Sequence, residues 1–419
     1  MVGDVPTPVG LGITAANTSP QAATSGGIEN SDVVDFGLTQ VYAPTGGGKV
    51  DIVFVHGLNG HPKKTWTATK SGLFWPLDLL PPILTEQKAR ILVYGYDANV
   101  TSFTDGASKD KIHNHAENLV QGLAANRRIR NATERPLIFV AHSLGGLVVK
   151  RALIYSSSIR GDNTAHLRSI YVSTFGILFM GTPHRGSDIA KWGAALESIC
   201  HGVMPTGIID TNSNLVNALK TENETLQVID REFYQLLRRF RVFFFHEGKK
   251  TPLGTGKFAK MAMIVDEESA SPNAEDVERS VIQQDHSHMC KFENDSAAGF
   301  DLVADALQRY SDEAPSVIAI RWQQERAERL NSKKYWLEEK APGTTDIITC
   351  TGKYKLTASD ALKGFTNTDS SSQGTPSTSK TTPALSGAEN QKYLESPSMF
   401  HNEYEVEEVA EAEHVAARR

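Results

Sequence analysis

The sequence predicts an α/β fold: a mostly parallel sheet with helices on both faces. Three observations carry the prediction. Apolar runs of strand length recur along the middle of the chain, they lack the polar alternation of a half-exposed strand, and stretches with three-to-four apolar spacing separate them. An order of strand, helix, strand leads to a parallel sheet covered on both sides, which binds ligands beyond the carboxyl ends of its strands.

Residues 1–35 are rich in Thr, Ser, Pro, Gly and Ala, too poor in apolar surface to offset the entropy of ordering, and are expected to be disordered. The domain is expected over residues 36–312. Its strands are predicted at Val50–His56, Arg90–Tyr96, Leu137–His142, Ile177–Gly181, Arg241–His246 and Met261–Val265, each closing on Gly, polar or charged residues. Helices are predicted at Ile112–Ala125, Gly145–Ser156, Leu226–Phe240 and Ala297–Tyr310. Beyond Pro315, residues 316–340 form a charged helix that either docks on the domain or recruits a protein partner. Residues 341–419, with a Ser/Thr/Pro-rich stretch and the acidic run Glu403–Glu413, are expected to be a low-complexity tail.

The 419 residues carry a net charge of −6, which argues against a nucleic-acid partner held by a broad basic surface. Cys200, Cys290 and Cys350 show neither disulfide-framework nor zinc spacing. No apolar run reaches the roughly 18 residues of a membrane span, and the first basic residue is Lys49. The expectation is therefore a cytoplasmic protein, with peripheral membrane contact left open. Gly46–Lys49 and Gly254–Lys257 lack phosphate-loop spacing and read as loops, so no nucleotide cofactor is implied.

The chemistry begins at Leu137–Gly146, where a strand passes directly into a helix through Ala141-His142-Ser143-Leu144-Gly145. A serine at such a bend adopts a strained backbone that lifts its hydroxyl above the sheet edge, and small residues two before and two after let strand and helix approach. Ala141 and Gly145 supply them, Ala141 replacing the usual first glycine. Ser143 is the expected nucleophile, and the Leu144 N–H, at a helix start, can receive developing negative charge. The loop His56-Gly57-Leu58-Asn59-Gly60 follows another strand and offers a second oxyanion donor, the N–H of Leu58, with His56 bracing the loop.

These runs, with Met180-Gly181-Thr182-Pro183-His184-Arg185-Gly186 and Asp285-His286-Ser287-His288-Met289-Cys290-Lys291-Phe292, resemble the α/β-hydrolase superfamily. More narrowly the chain resembles SERAC-type serine hydrolases, relatives of lipases and of the GPI inositol-deacylase group, in their fungal form. The resemblance implies cleavage or transfer of an acyl ester, lipid or other, and peripheral contact with endoplasmic-reticulum or mitochondrial membrane. His286 occupies the family's histidine position and is the expected base, with His288 as the alternative. Glu247, closing the strand Arg241–His246, is the expected acid, with Asp266 or Glu267 as substitutes. Asp97 comes too early in the chain and is expected to shape a loop. The His286/His288 pair lacks a third ligand at metal spacing, so neither a metal nor a cofactor is expected. His184 and Arg185 are expected to border the pocket, either as loop architecture or with Arg185 as a contact for an anionic head group. Residues 187–220, including Trp192, resemble a cap over it or a segment packed on the flank of the domain.

Overall fold

The computed structural model describes residues 27–29, 32–99, 111–184, 228–253, 260–265 and 275–340. Its centre is an eight-stranded sheet in the order β1-β2-β4-β3-β5-β6-β7-β10. The strands are Gly27–Glu29 (β1), Gly37–Pro44 (β2), Val50–Val55 (β3), Ala89–Gly95 (β4), Leu137–His142 (β5), Thr174–Met180 (β6), Arg241–Glu247 (β7) and Glu278–Ile282 (β10). From β4 to β10 all neighbours are parallel, whereas β1 and β2 add antiparallel at one edge. The chain runs outward from β3 to β4 and then crosses back to β5, so the strand order reverses between β3 and β5. In open α/β sheets that crevice is where ligands bind, and it lies between the His56 loop and Ser143.

Each central strand feeds two cores. Along β5, Leu137, Phe139 and Ala141 join the cluster under the helices Lys111–Ile129 and Leu144–Ser158, while Ile138 and Val140 face Trp66, Trp75 and the long helix Phe300–Lys340. Burial on both faces explains why these strands read as continuous apolar runs.

Four expectations need correction. Gly27–Glu29, inside the segment expected to be disordered, pairs with β2 through backbone bonds that need no apolar side chains. Met261–Val265 does not form a strand of the main sheet; Lys260–Ala262 (β9) pairs antiparallel with Thr251–Leu253 (β8) as a separate two-stranded element. The last sheet strand is instead β10, a polar edge strand in which only Ile282 is fully buried. Finally, the two helices expected on either side of Pro315 are one helix, Phe300–Lys340. Tyr310 and Ala314 before the proline and Ile318 and Trp322 after it are buried on one stripe. Packing of that stripe outweighs the hydrogen bond that the proline removes. Arg321 donating to the Thr174 carbonyl at 2.7 Å and Trp322 Nε1 to Ser173 Oγ at 3.1 Å fasten its second half.

Candidate active site

Ser143 takes φ 51° and ψ −124°, a left-handed conformation that is costly for a residue with a Cβ, between β5 and the helix it heads. Neighbouring atoms hold it there. Its N–H donates to the Met180 carbonyl at 2.9 Å, and its carbonyl accepts the Gly146 N–H at 3.0 Å and the Thr182 hydroxyl at 3.1 Å. The helix can begin so close to the sheet because position 145 lacks a Cβ. An added methyl would lie 2.3 Å from the His56 carbonyl oxygen and 2.5 Å from that of Val55. Both are backbone atoms where β3 passes into the loop facing the elbow. Gly145→Ala is therefore expected to cost about 1–3 kcal/mol or more through overpacking, read as a lowered unfolding midpoint. A wild-type melting temperature would show that the elbow has slack.

The turn Asp285–His288 delivers the imidazole. Asp285 Oδ1 accepts the N–H groups of Ser287 and His288, both at 3.0 Å, and this side-chain turn directs His286 inward. His286 Nε2 stands 3.0 Å from Ser143 Oγ, the ring is buried, and its Nδ1 lies 3.5 Å from Glu247 Oε2. That separation is an ion-pair approach rather than a hydrogen bond. Neither Nδ1 nor Oε2 has a hydrogen-bond partner among the described residues, so the two buried atoms face each other. Glu247 Oε1 accepts the Val265 N–H at 2.7 Å, which fixes the carboxylate. Gly181, at φ 57°, makes room for the imidazole: an added Cβ would sit 3.1 Å from His286 Nδ1 and 2.9 Å from the Met289 sulfur.

The loop after β3 folds back over the elbow. Asn59 donates to the Ala98 carbonyl at 2.8 Å and Gly60 to that of Gly57 at 2.9 Å, bonds that flank Leu58 without using its N–H. Leu144 is the first residue of its helix, where an N–H has no intrahelical acceptor. His56 braces this loop. Its Nδ1 donates to the Gly57 carbonyl at 3.0 Å, its Nε2 accepts the Tyr96 N–H at 3.4 Å, and its ring stacks on Tyr96 at 4.5 Å. Burial pushes its pKa down to about 4, so it stays neutral.

The structure brings Ser143, His286 and Glu247 together and leaves other candidates out. His288 is half-exposed, with Nδ1 at 2.8 and 3.0 Å from the Asp285 carboxylate oxygens rather than near Ser143. Asp97 accepts from Asn99 in a local turn. His184 is buried among the described residues. It sits edge-on between Phe179 and Phe244, at 4.6 and 4.5 Å, in the core beneath the elbow helix, and burial followed by the nearby Lys150 ammonium holds its pKa well below the usual value. Arg185, Trp192, the expected cap at 187–220, Asp266 and Glu267 lie outside the described residues. Sequence reasoning gave no role to Gly181 and Thr182. The Gly-Thr pair was marked only by its place in the Met180–Gly186 run.

With this geometry in view, residues 51–231 match the family model described as "Putative serine esterase (DUF676)". That stretch is similar to the DUF676 family. The matched range holds the Leu58 loop and the Ser143 elbow and stops before Glu247 and His286, which the fold adds from β7 and the turn after β10. Protein SERAC1 of Danio rerio is 28% identical over 261 residues, covering 58% of this chain and 36% of that protein. Protein SERAC1 of Homo sapiens is 24% identical over 229 residues, covering 49% and 31%. The chain thus spans about a third of the length of the curated relatives it matches. Among solved structures, Bacillus licheniformis lipase BlEst2 aligns with a TM-score of 0.38 at 18% identity, over 63% of this chain and 92% of that one. The sheet order, the strained serine between strand and helix, and the DUF676 match make the domain an α/β-hydrolase fold. No helix among the described residues is long and apolar enough to cross a membrane.

Proposed function

We propose that this domain is a serine hydrolase that cleaves or transfers the acyl group of a carboxylic ester through an acyl-enzyme on Ser143. The 3.0 Å approach of Ser143 Oγ to His286 Nε2, with the serine in a strained conformation, is the observation that carries this reading. A serine hydroxyl is a weak nucleophile until an imidazole accepts its proton. Here Ser143 Oγ attacks the ester carbonyl carbon as its proton passes to His286 Nε2. Glu247 stabilises the resulting imidazolium, and the N–H groups of Leu144 and Leu58 receive the oxyanion. Collapse expels the alcohol, which takes the proton from His286; water, activated by the same imidazole, then releases the acid. Each step uses side chains and backbone amides of the protein, and water. One oxyanion donor is typically worth about 10²–10³ in rate.

Lipid esters are the favoured substrates within this reading, on the resemblance of the motif runs to lipase relatives, and a peripheral membrane surface is the place such a substrate would be met. The competing reading is a recognition platform. It draws on the long helix, whose side chains from Arg326 to Tyr335 are exposed except for Arg329.

The test is hydrolysis of p-nitrophenyl esters of increasing acyl length by the full chain. Turnover that depends on Ser143, rising with chain length, is the expected result. Folded wild-type protein inert on every ester, or equal turnover in Ser143→Ala, would replace this reading with the platform. Glu247→Gln should lower kcat by about 10²–10⁴, because the amide can still accept from Val265 yet favours the wrong imidazole tautomer. An unchanged kcat would remove Glu247 from the triad.

A further inference from the structure

The backbone of His286 is held on both sides of its Cα by side chains. Its N–H donates to Thr251 Oγ1 at 3.1 Å, and its carbonyl lies 2.9 Å from His142 Nε2. Thr251 and His142 are both buried, and they come from different elements: Thr251 from β8, beyond the turn that follows the acid, and His142 from the last position of β5, next to the nucleophile. A carbonyl oxygen can only accept, so His142 Nε2 carries the proton and Nδ1 is bare.

We infer that His142 and Thr251 are positioning residues for the base, clamping the backbone of His286 so that its ring stays within reach of Ser143 through both proton transfers. The inference rests on the hydrolase reading above and adds to it two residues outside the triad. An imidazole that takes and returns a proton twice per turnover must not drift. A displacement of about 1 Å can cost on the order of 100-fold in rate. His286 lies in a turn rather than a strand, so no sheet ladder fixes its peptide; the two side chains do that instead. His142 suits the task because it ties the base directly to the residue beside the nucleophile, setting their separation through one hydrogen bond. Its ring centroid is 5.0 Å from that of His286. Burial, with the neighbouring His286, pushes the His142 pKa down to about 3, so it holds the carbonyl as a neutral donor and adds no charge opposing the imidazolium.

The test uses the full chain with His142→Phe, His142→Gln, Thr251→Val and Thr251→Ser. Each is measured by the rate and the final stoichiometry of fluorophosphonate labelling, and by kcat and KM on a p-nitrophenyl ester. His142→Phe and Thr251→Val should label about 10- to 100-fold more slowly, yet still reach one label per chain, with the loss in kcat and KM near wild type. The glutamine and serine variants, which keep a donor and an acceptor respectively, should recover most of the rate. A merely structural role would instead lower the labelled fraction and leave the rate per labelled site unchanged. If His142→Phe fails to fold, the Thr251 pair decides alone. Wild-type labelling matched in rate by the folded variants overturns the clamp and leaves the hydrolase standing. An unlabelled, folded wild type removes the hydrolase reading and the clamp with it.

Discussion

His286→Ala is expected to fold and to lose turnover by about 10⁴–10⁶, the range in which removal of a triad base falls when binding and oxyanion stabilisation remain. Two contacts explain the size of the loss. Ser143 Oγ loses its proton acceptor at 3.0 Å, and Glu247 Oε2 loses the group it faces at 3.5 Å. The buried carboxylate would keep only the Val265 N–H on its other oxygen. The fold should survive because the turn itself is made by Asp285 and by backbone bonds, including the Met289 N–H to the Asp285 carbonyl at 2.9 Å. kcat on an activated ester, with circular dichroism as the control for folding, checks this. Activity within tenfold of wild type would move the base elsewhere, and the half-exposed His288 would have to leave Asp285 to supply it.

The largest expected effect on stability lies at the opposite end of the strands. Asp51, fully buried near the start of β3, accepts from Arg90 through two nitrogens at 2.8 and 2.9 Å, from Arg127 at 2.8 Å and from Arg135 at 3.0 Å. Three guanidinium groups thus share one carboxylate. Burial alone would raise the Asp51 pKa, but the charges of Arg127, Arg90 and Arg135 together with the Arg90 hydrogen bonds outweigh it and hold the pKa below the usual carboxylate value. Asp51→Ala leaves three cations, two of them almost wholly buried, without their counter-charge. Breaking a buried pair in that way costs about 3–5 kcal/mol, which is a large part of the stability of an ordinary domain. Urea unfolding is expected to show that loss, and a cost under about 1 kcal/mol would mean that water or another carboxylate replaces Asp51. The pH dependence has a definite sign. A depressed carboxylate contributes stability above its unfolded value, near 3.9, and loses it as the pH falls through the lower folded value. The Asp51 contribution should therefore be flat near neutrality and vanish only in strong acid.

Much of the site was legible because its signals are local. A strand buried on both faces ending in Ala-His-Ser-Leu-Gly announces an elbow through neighbouring residues alone, and β5 ends at His142, as its apolar run implies. Glu247 was legible as the end of a strand. What the sequence concealed depends on contacts between distant segments. β2, second from one edge, and β10, at the other edge, have mixed polar residues that make no apolar run, so their pairing is fixed by backbone bonds to neighbours, β1 and β4 for β2 and β7 for β10. The proline at 315 reads as a stop, and only the stripe of Tyr310, Ala314, Ile318 and Trp322 against the sheet shows why the helix continues. His184 sat in a motif run and looked available, but Phe179 and Phe244 close around it. His142 and Thr251 carry no periodicity or spacing that ties them to a residue more than 30 positions away; their role exists only in the folded chain.

The central claim is that one hydroxyl, and no other group, is made nucleophilic by the neighbouring imidazole. Intact-mass analysis of the full chain after treatment with a fluorophosphonate tests it most directly. The account predicts a single adduct per chain, mapped to the peptide containing Ser143, absent from Ser143→Ala and formed far more slowly in His286→Ala. A folded wild-type chain that gains no mass, or a Ser143→Ala chain that gains the same adduct, would contradict it.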